Sequence, residues 1–226
     1  MWNEPNLQRE WYGQPLSGES YMRYFRPAYT AIRQFSPEIM IITAAPAPTG
    51  DSHWSANDRA WLQQIYDAGL AQYGTDIAIG VHPYGWANPP DARAADATQA
   101  SSSHNNHPSF FFADTLEEYH AMLVSAGAGD LSLWPTEFGW GSFEGLVTDT
   151  GDPASPPAGS EFMADNSEWE QAVYTLRAFE LAHGWEWVGP MFLWNLNFGF
   201  ALDYQFQETG YSLIRPGGER RPDEAI

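Results

Sequence analysis

Met1-Trp2-Asn3-Glu4-Pro5-Asn6 opens the chain, and Trp134-Pro135-Thr136-Glu137-Phe138-Gly139-Trp140 answers it far downstream. Each stretch holds one glutamate close to tryptophan, Glu4 two residues after Trp2 and Glu137 between Trp134 and Trp140, and each glutamate ends a short apolar run. Two carboxyls delivered from two strand ends can divide the work of general acid and nucleophile. The chain between them decides whether strand ends are what they are.

Outward from the first motif, residues 8–18 read as a polar loop. Tyr21, Tyr24, Phe25, Ala28, Tyr29, Ile32 and Phe35 then recur at helical spacing up to Ser36-Pro37, with Pro27 inside the pattern. Residues 39–45 form a continuous apolar run of strand length, as expected of a parallel strand covered on both faces, and Pro46 and Pro48 end it. Trp61, Leu62, Ile65, Tyr66, Gly69, Leu70 and Tyr73 give a second helical stripe, with Ser55 and Asp58 in a capping-box arrangement. Residues 77–81 read as a strand ending at His82-Pro83-Tyr84, and 87–108 as a surface loop. Thr115 and Glu118 form a capping box for a third helix, which Gly127 and Gly129 stop. Residues 131–136 make the strand that delivers Glu137, and 141–165 make a second long loop. Ser167 and Glu170 cap a helix reaching about His183, and 188–196 form a last strand carrying Trp194. Strands alternating with helices argue an α/β fold with a parallel sheet. A doubly wound sheet is the alternative to a barrel, but no glycine-rich phosphate turn follows any strand.

Composition narrows the chemistry. At 226 residues and 43% hydrophobic content the chain can bury one sizeable core, and a single domain over 1–226 is expected. A net charge of −19 disfavours nucleic acid and anionic membrane surfaces as partners. All ten basic residues are arginine, so no lysine is present for a Schiff base or a phosphate loop. No cysteine is present either, which removes thiol nucleophiles and Cys-ligated zinc. His53, His104 and His107, with Asp149 and Asp152, match no metal-ligand spacing and read as solvated loop groups, so neither metal nor cofactor is expected. Aromatics make up 15% of the chain, which favours carbohydrate, whose pyranose faces stack on exposed rings. No apolar run approaches the roughly 20 residues of a membrane span.

The Trp-Asn-Glu-Pro stretch, paired in this order with the later glutamate, resembles the clan A glycoside hydrolases, and in tone it is similar to their families 5 and 39 without choosing between them. The resemblance implies a (β/α)8 barrel of which this chain holds strands four to eight, in a single C-terminal part. It implies a retaining β-glycosidase or glycanase with Glu4 as acid/base and Glu137 as nucleophile. Asn3 would bond the sugar 2-hydroxyl, His82 and Tyr84 would line the site with Tyr84 bonding the nucleophile, and Trp194 would floor the subsite of the attacked sugar. The carboxyls are then expected about 5–5.5 Å apart. The resemblance further implies that earlier strands, much of the last helix and the native N-terminus with any secretion signal lie outside the sequence, so an extracellular location is suspected. Open barrel edges would then favour self-association and leave the isolated chain weakly active. Two other readings stay open: a barrel that binds carbohydrate without turnover, and an inert fragment of such a hydrolase.

Overall fold

The computed structural model describes residues 1–97 and 107–221. The elements are α1 (Gly18–Phe35), β1 (Ile41–Ile42), α2 (Asp58–Asp67), β2 (Ile77–Val81), α3 (Phe112–Ser125), β3 (Leu133–Pro135), α4 (Glu168–His183) and α5 (Gln207–Tyr211). They fall into two compact units. The first comprises Met1–His82, Thr115–Thr136 and Glu186–Pro190, and the second Pro83–Asp114, Glu137–Trp185 and Met191–Ile226. Among the described residues no helix is long and apolar enough to cross a membrane.

The first unit is built on a parallel sheet in chain order β1-β2-β3. Ile41 pairs with Ile77, Ile42 with Ala78, and Ile79, Gly80 and Val81 with Leu133, Trp134 and Pro135. Parallel neighbours need a long crossover, which α2 supplies between the first two strands and α3 between the second two. All of β2 is buried, as its unbroken apolar sequence requires of a central strand. Gly80 admits the strand beside it, because a Cβ there would stand 2.5 Å from the Thr43 carbonyl oxygen. Two further segments bond to the sheet region: the Glu4 N–H donates to the Ala45 carbonyl (3.1 Å), and Leu133 exchanges backbone bonds with Trp187 and Gly189 (2.9 and 2.8 Å).

Helix α1 packs on α2 through buried Tyr21, Phe25, Trp61 and Ile65. Burial of each such side chain contributes roughly 1.5–3 kcal/mol. Its N-cap is Ser17, accepting from the Ser20 N–H, and Pro27 lies well inside it. For α2 the cap is Asn57, accepting from the Ala60 N–H, rather than the expected Ser55. Asp58 instead turns inward, fully buried, and accepts from the Tyr119 hydroxyl (2.7 Å) and Arg59 (2.8 Å). Helix α3 likewise starts at Phe112, three residues before the expected cap. Thr115 is buried inside it, while Asp114 of the second unit is engaged by Arg93 and the Ala94 N–H.

The second unit gathers the segments after the strand ends around α4. Ser167 caps α4 in a complete capping box with Glu170, as the sequence predicts. Phe112, Phe138, Trp140, Tyr174 and Phe179 form an aromatic core beside it, with ring centroids 5.2–6.0 Å apart. The expected last strand is not continuous: Val188 bridges Leu133 in the first unit, and Leu193 bridges Phe138 in the second. Residues 137–140 and 191–195 run side by side there, so closely that a Cβ on Gly139 would stand 2.5 Å from the Trp194 carbonyl oxygen. The chain then returns through α5 to a strap in which Ile214 bridges Arg220. Part of the loop read over 87–108, including His104, lies outside the described residues.

Candidate active site

In the first unit Glu4 sits on a turn rather than in a strand. Trp2 and Glu4 both have positive φ, 85° and 39°, a conformation costing a non-glycine residue on the order of 1–3 kcal/mol. Asn6 offsets that cost. Fully buried, it donates to the carbonyls of Ala47 (2.9 Å) and Ala56 (3.0 Å) and accepts from the Ala47 N–H (2.7 Å). The fully buried Tyr21 hydroxyl donates to the Met1 carbonyl (3.0 Å) and accepts from the Ala44 N–H (2.7 Å), and burial pushes this phenol well up from its ordinary value. The turn is therefore clamped on both sides of Glu4.

The Glu4 carboxyl is itself nearly buried, at 11% side-chain exposure. Its Oε1 stands 3.1 Å from His82 Nδ1, and its Oε2 3.5 Å from the exposed Arg9 guanidinium. His82, the residue after β2, is 3% exposed. Its second ring nitrogen faces the Thr136 hydroxyl at 3.1 Å. Thr136 follows β3, and its N–H donates to the Val81 carbonyl (3.0 Å), so the sheet register itself sets the Thr136 side chain opposite the imidazole.

In the second unit the Tyr84 hydroxyl donates to Glu137 Oε2 at 2.9 Å. The Tyr84 ring lies edge-on to Tyr211 at 5.4 Å. Tyr84 and Trp194 both pack on a cluster of Phe143, Leu146, Phe162, Met163 and Tyr211. Trp194 is half-buried, and its N–H donates to the Phe138 carbonyl (2.9 Å). The Trp194–Asn195 peptide is cis. Residues 141–165 fold back beside the N-terminus of α4 around a cavity of about 600 Å³ lined by Phe143, Glu144, Leu146, Asp165, Asn166 and Glu170.

Of the residues singled out from the sequence, Glu4 and His82 thus meet in the first unit, and Tyr84, Glu137 and Trp194 share the second. Asn3 is exposed, and among the described residues no side-chain hydrogen bond joins it. The loop histidines are engaged locally: His53 lies against Trp54 (4.6 Å), and His107 accepts from the Ser109 N–H (3.2 Å). Sequence reasoning gave no role to Asn6, Arg9 or Thr136. Asn6 and Thr136 stood inside the two quoted motifs, and their positions beside the glutamates were the available signal.

No protein-family model matches the sequence, and no curated protein does. Solved structures do. A family 39 glycoside hydrolase from the gut symbiont Bacteroides cellulosilyticus WH2 is similar with a TM-score of 0.63 at 21% identity, over 98% of this chain and 38% of that one. A glucosidase from Croceicoccus marinus follows with a TM-score of 0.57 at 13% identity, over 96% of this chain and 36% of that one. A family 128 (subgroup VI) exo-β-1,3-glucanase from Aureobasidium namibiae has a TM-score of 0.53 at 14% identity, over 96% of this chain and 61% of that one. The likeness is one of fold, to solved glycoside hydrolases. The chain spans less than two thirds of each of these structures.

Proposed function

We propose that this chain is the catalytic part of a retaining β-glycoside hydrolase, forming strands four to eight of a single (β/α)8 domain, with Glu4 as acid/base and Glu137 as nucleophile. The parallel sheet in chain order, with a candidate residue directly after β2 and another one residue beyond Thr136, supports that architecture, because barrel chemistry gathers at the C-terminal ends of strands. The observation that carries the assignment of roles is the 2.9 Å hydrogen bond from Tyr84 to Glu137. A phenol donating to one carboxylate oxygen favours the ionised form and orients the other oxygen for attack, which is what a nucleophile requires.

In this reading the substrate is a β-linked oligo- or polysaccharide. Glu4 gives its proton to the glycosidic oxygen as that bond to the anomeric carbon breaks, and Glu137 bonds to the anomeric carbon to form a glycosyl ester. Glu4, now ionised, takes a proton from water, whose oxygen displaces Glu137 and regenerates both carboxyls. Asn3 would bond the 2-hydroxyl, and Trp194 would underlie the ring. The reaction asks for no cofactor.

The test is an activated 2-fluoro β-glycoside applied to the gene product containing this chain, followed by peptide mass analysis. A sugar adduct on Glu137, abolished in Glu137→Gln, is the expected result. In Glu4→Gln, hydrolysis of poor leaving groups should fall far more than that of activated aryl glycosides, since only the former need protonation. An adduct elsewhere, or oligosaccharide binding with no product, would refute the reading, the latter in favour of a non-catalytic carbohydrate-binding scaffold.

A further inference from the structure

We infer that Thr136 is a positioning residue for the acid/base, holding His82 in the tautomer that presents Nδ1–H to Glu4. The inference rests on the reading of Glu4 above, and it stands on the run of contacts Thr136 Oγ1 to His82 Nε2 (3.1 Å) and His82 Nδ1 to Glu4 Oε1 (3.1 Å). An ionised carboxylate only accepts, so the ring nitrogen facing Glu4 must carry the hydrogen. A neutral imidazole then has a bare lone pair on Nε2, and a side chain only 2% exposed needs a donor there. The Thr136 hydroxyl is that donor. The arrangement serves both halves of a double displacement: when Glu4 is protonated on Oε2, Oε1 still accepts from Nδ1–H, and neither ring nor hydroxyl has to reorganise between steps.

Thr136 is held for this by backbone rather than by chance of rotamer, through its N–H bond to Val81, the residue before His82 (3.0 Å). Among the described residues of the first unit, the charged and titratable groups paired with Glu4 are His82 on Oε1 and Arg9 on Oε2. Glu10 stands on the far side of Arg9 at 3.5 Å, and Glu137 follows Thr136 in the chain. Arg9 is 69% exposed at the side chain, so solvent screens its share, and the near-buried contact with His82 is the one that aims the carboxyl.

The experiment compares Thr136→Val with Thr136→Ser. Valine keeps the shape and removes the donor, whereas serine keeps the hydroxyl. ¹⁵N spectra of the histidine-labelled protein read the ring directly and need no turnover. Wild type should show His82 protonated on Nδ1. Thr136→Val should move the Nε2 resonance toward that of an unbonded lone pair, and Thr136→Ser should restore it. In kinetics on a poor leaving group, Thr136→Val should lower kcat by about tenfold, a part of the total that general acid catalysis supplies, with KM little changed. Its alkaline limb should move to higher pH, because a carboxylate with a weakened donor holds its proton longer. Thr136→Ser should recover both. A wild-type His82 protonated on Nε2, an Nε2 resonance indifferent to Thr136→Val, or an unmoved alkaline limb with unchanged kcat would each overturn the inference. Absence of turnover in wild type would instead strike the glycosidase reading, while the spectra still decide what Thr136 does to His82.

Discussion

Tyr84→Phe removes one oxygen and leaves a ring of nearly the same shape against Tyr211 and the cluster beneath it. The bond lost is a neutral donor to a carboxylate at 2.9 Å. Hydrogen bonds to charged groups are worth about 1.5–3 kcal/mol net, and since both partners are only half-buried, the lower end applies. About 1.5 kcal/mol corresponds to roughly a tenfold loss in kcat/KM. The same energy sets the pH response. The phenol favours the ionised Glu137 carboxylate, its loss favours protonation, and at 1.36 kcal/mol per pH unit the acid limb of kcat/KM should move upward by about one unit. An aryl β-glycoside whose leaving group needs no proton isolates this step from Glu4. A Tyr84→Phe profile that coincides with wild type at every pH would refute the argument that this bond prepares Glu137.

Three further outcomes follow from the packing. Glu168 is 5% exposed and pairs with Arg215 and with Arg221, itself 3% exposed, whose guanidinium burial pushes down to about 10. Glu168→Gln should therefore lower stability by about 3–5 kcal/mol in urea titrations, and adding Arg221→Met should restore most of it by removing the orphaned charge. Asn6→Ala leaves the Ala47 N–H and the Ala47 and Ala56 carbonyls without their side-chain partner, so thermal and urea unfolding should register a loss of about 3 kcal/mol, accompanied by weaker acid catalysis as the Glu4 turn relaxes. The Ser167 backbone N–H, and next its hydroxyl, hold the Glu170 carboxyl below its ordinary value of 4.5. Its stabilisation is present above that value and lost as pH falls through the lowered one, and because the group is only partly buried, the Glu170→Gln loss of stability near neutral pH should be less than about 1 kcal/mol and should vanish on the acid side of a melting-temperature profile.

What could be read beforehand were the local signals. The Ser167–Glu170 box is a contact within one turn, and β2 is a run of apolar residues bounded by Asp76 and His82, so sequence alone carries both. Strand ends were less legible because pairing, not composition, sets them. The run over 39–45 contributes only Ile41 and Ile42 as strand, with Ile39 and Met40 exposed at 42% and 48% before it. Capping boxes failed where a tertiary partner competed for the residue. Asp58 is drawn inward by Tyr119, and the turn Pro108–Phe110 places the start of α3 ahead of Thr115.

The site shows the same division. Glu4, Glu137, His82 and Tyr84 were singled out from motifs at expected strand ends, and the structure sets His82 against Glu4 and Tyr84 against Glu137. Asn6 and Thr136 were not, because their roles are set by distances no pattern holds. Asn6 reaches 41 and 50 residues along the chain, and Thr136 meets His82 54 residues away. Both act on Glu4 through another group. Asn6 closes the turn whose positive φ places Glu4, and Thr136 saturates the imidazole that faces it. A carboxyl aimed by its own turn and by a fixed donor needs little reorganisation when charge develops on the leaving oxygen. Supporting residues of this kind should thus be sought beside a catalytic motif in the sequence, at positions whose backbone is tied to a neighbouring strand, rather than by the chemistry of their own side chains.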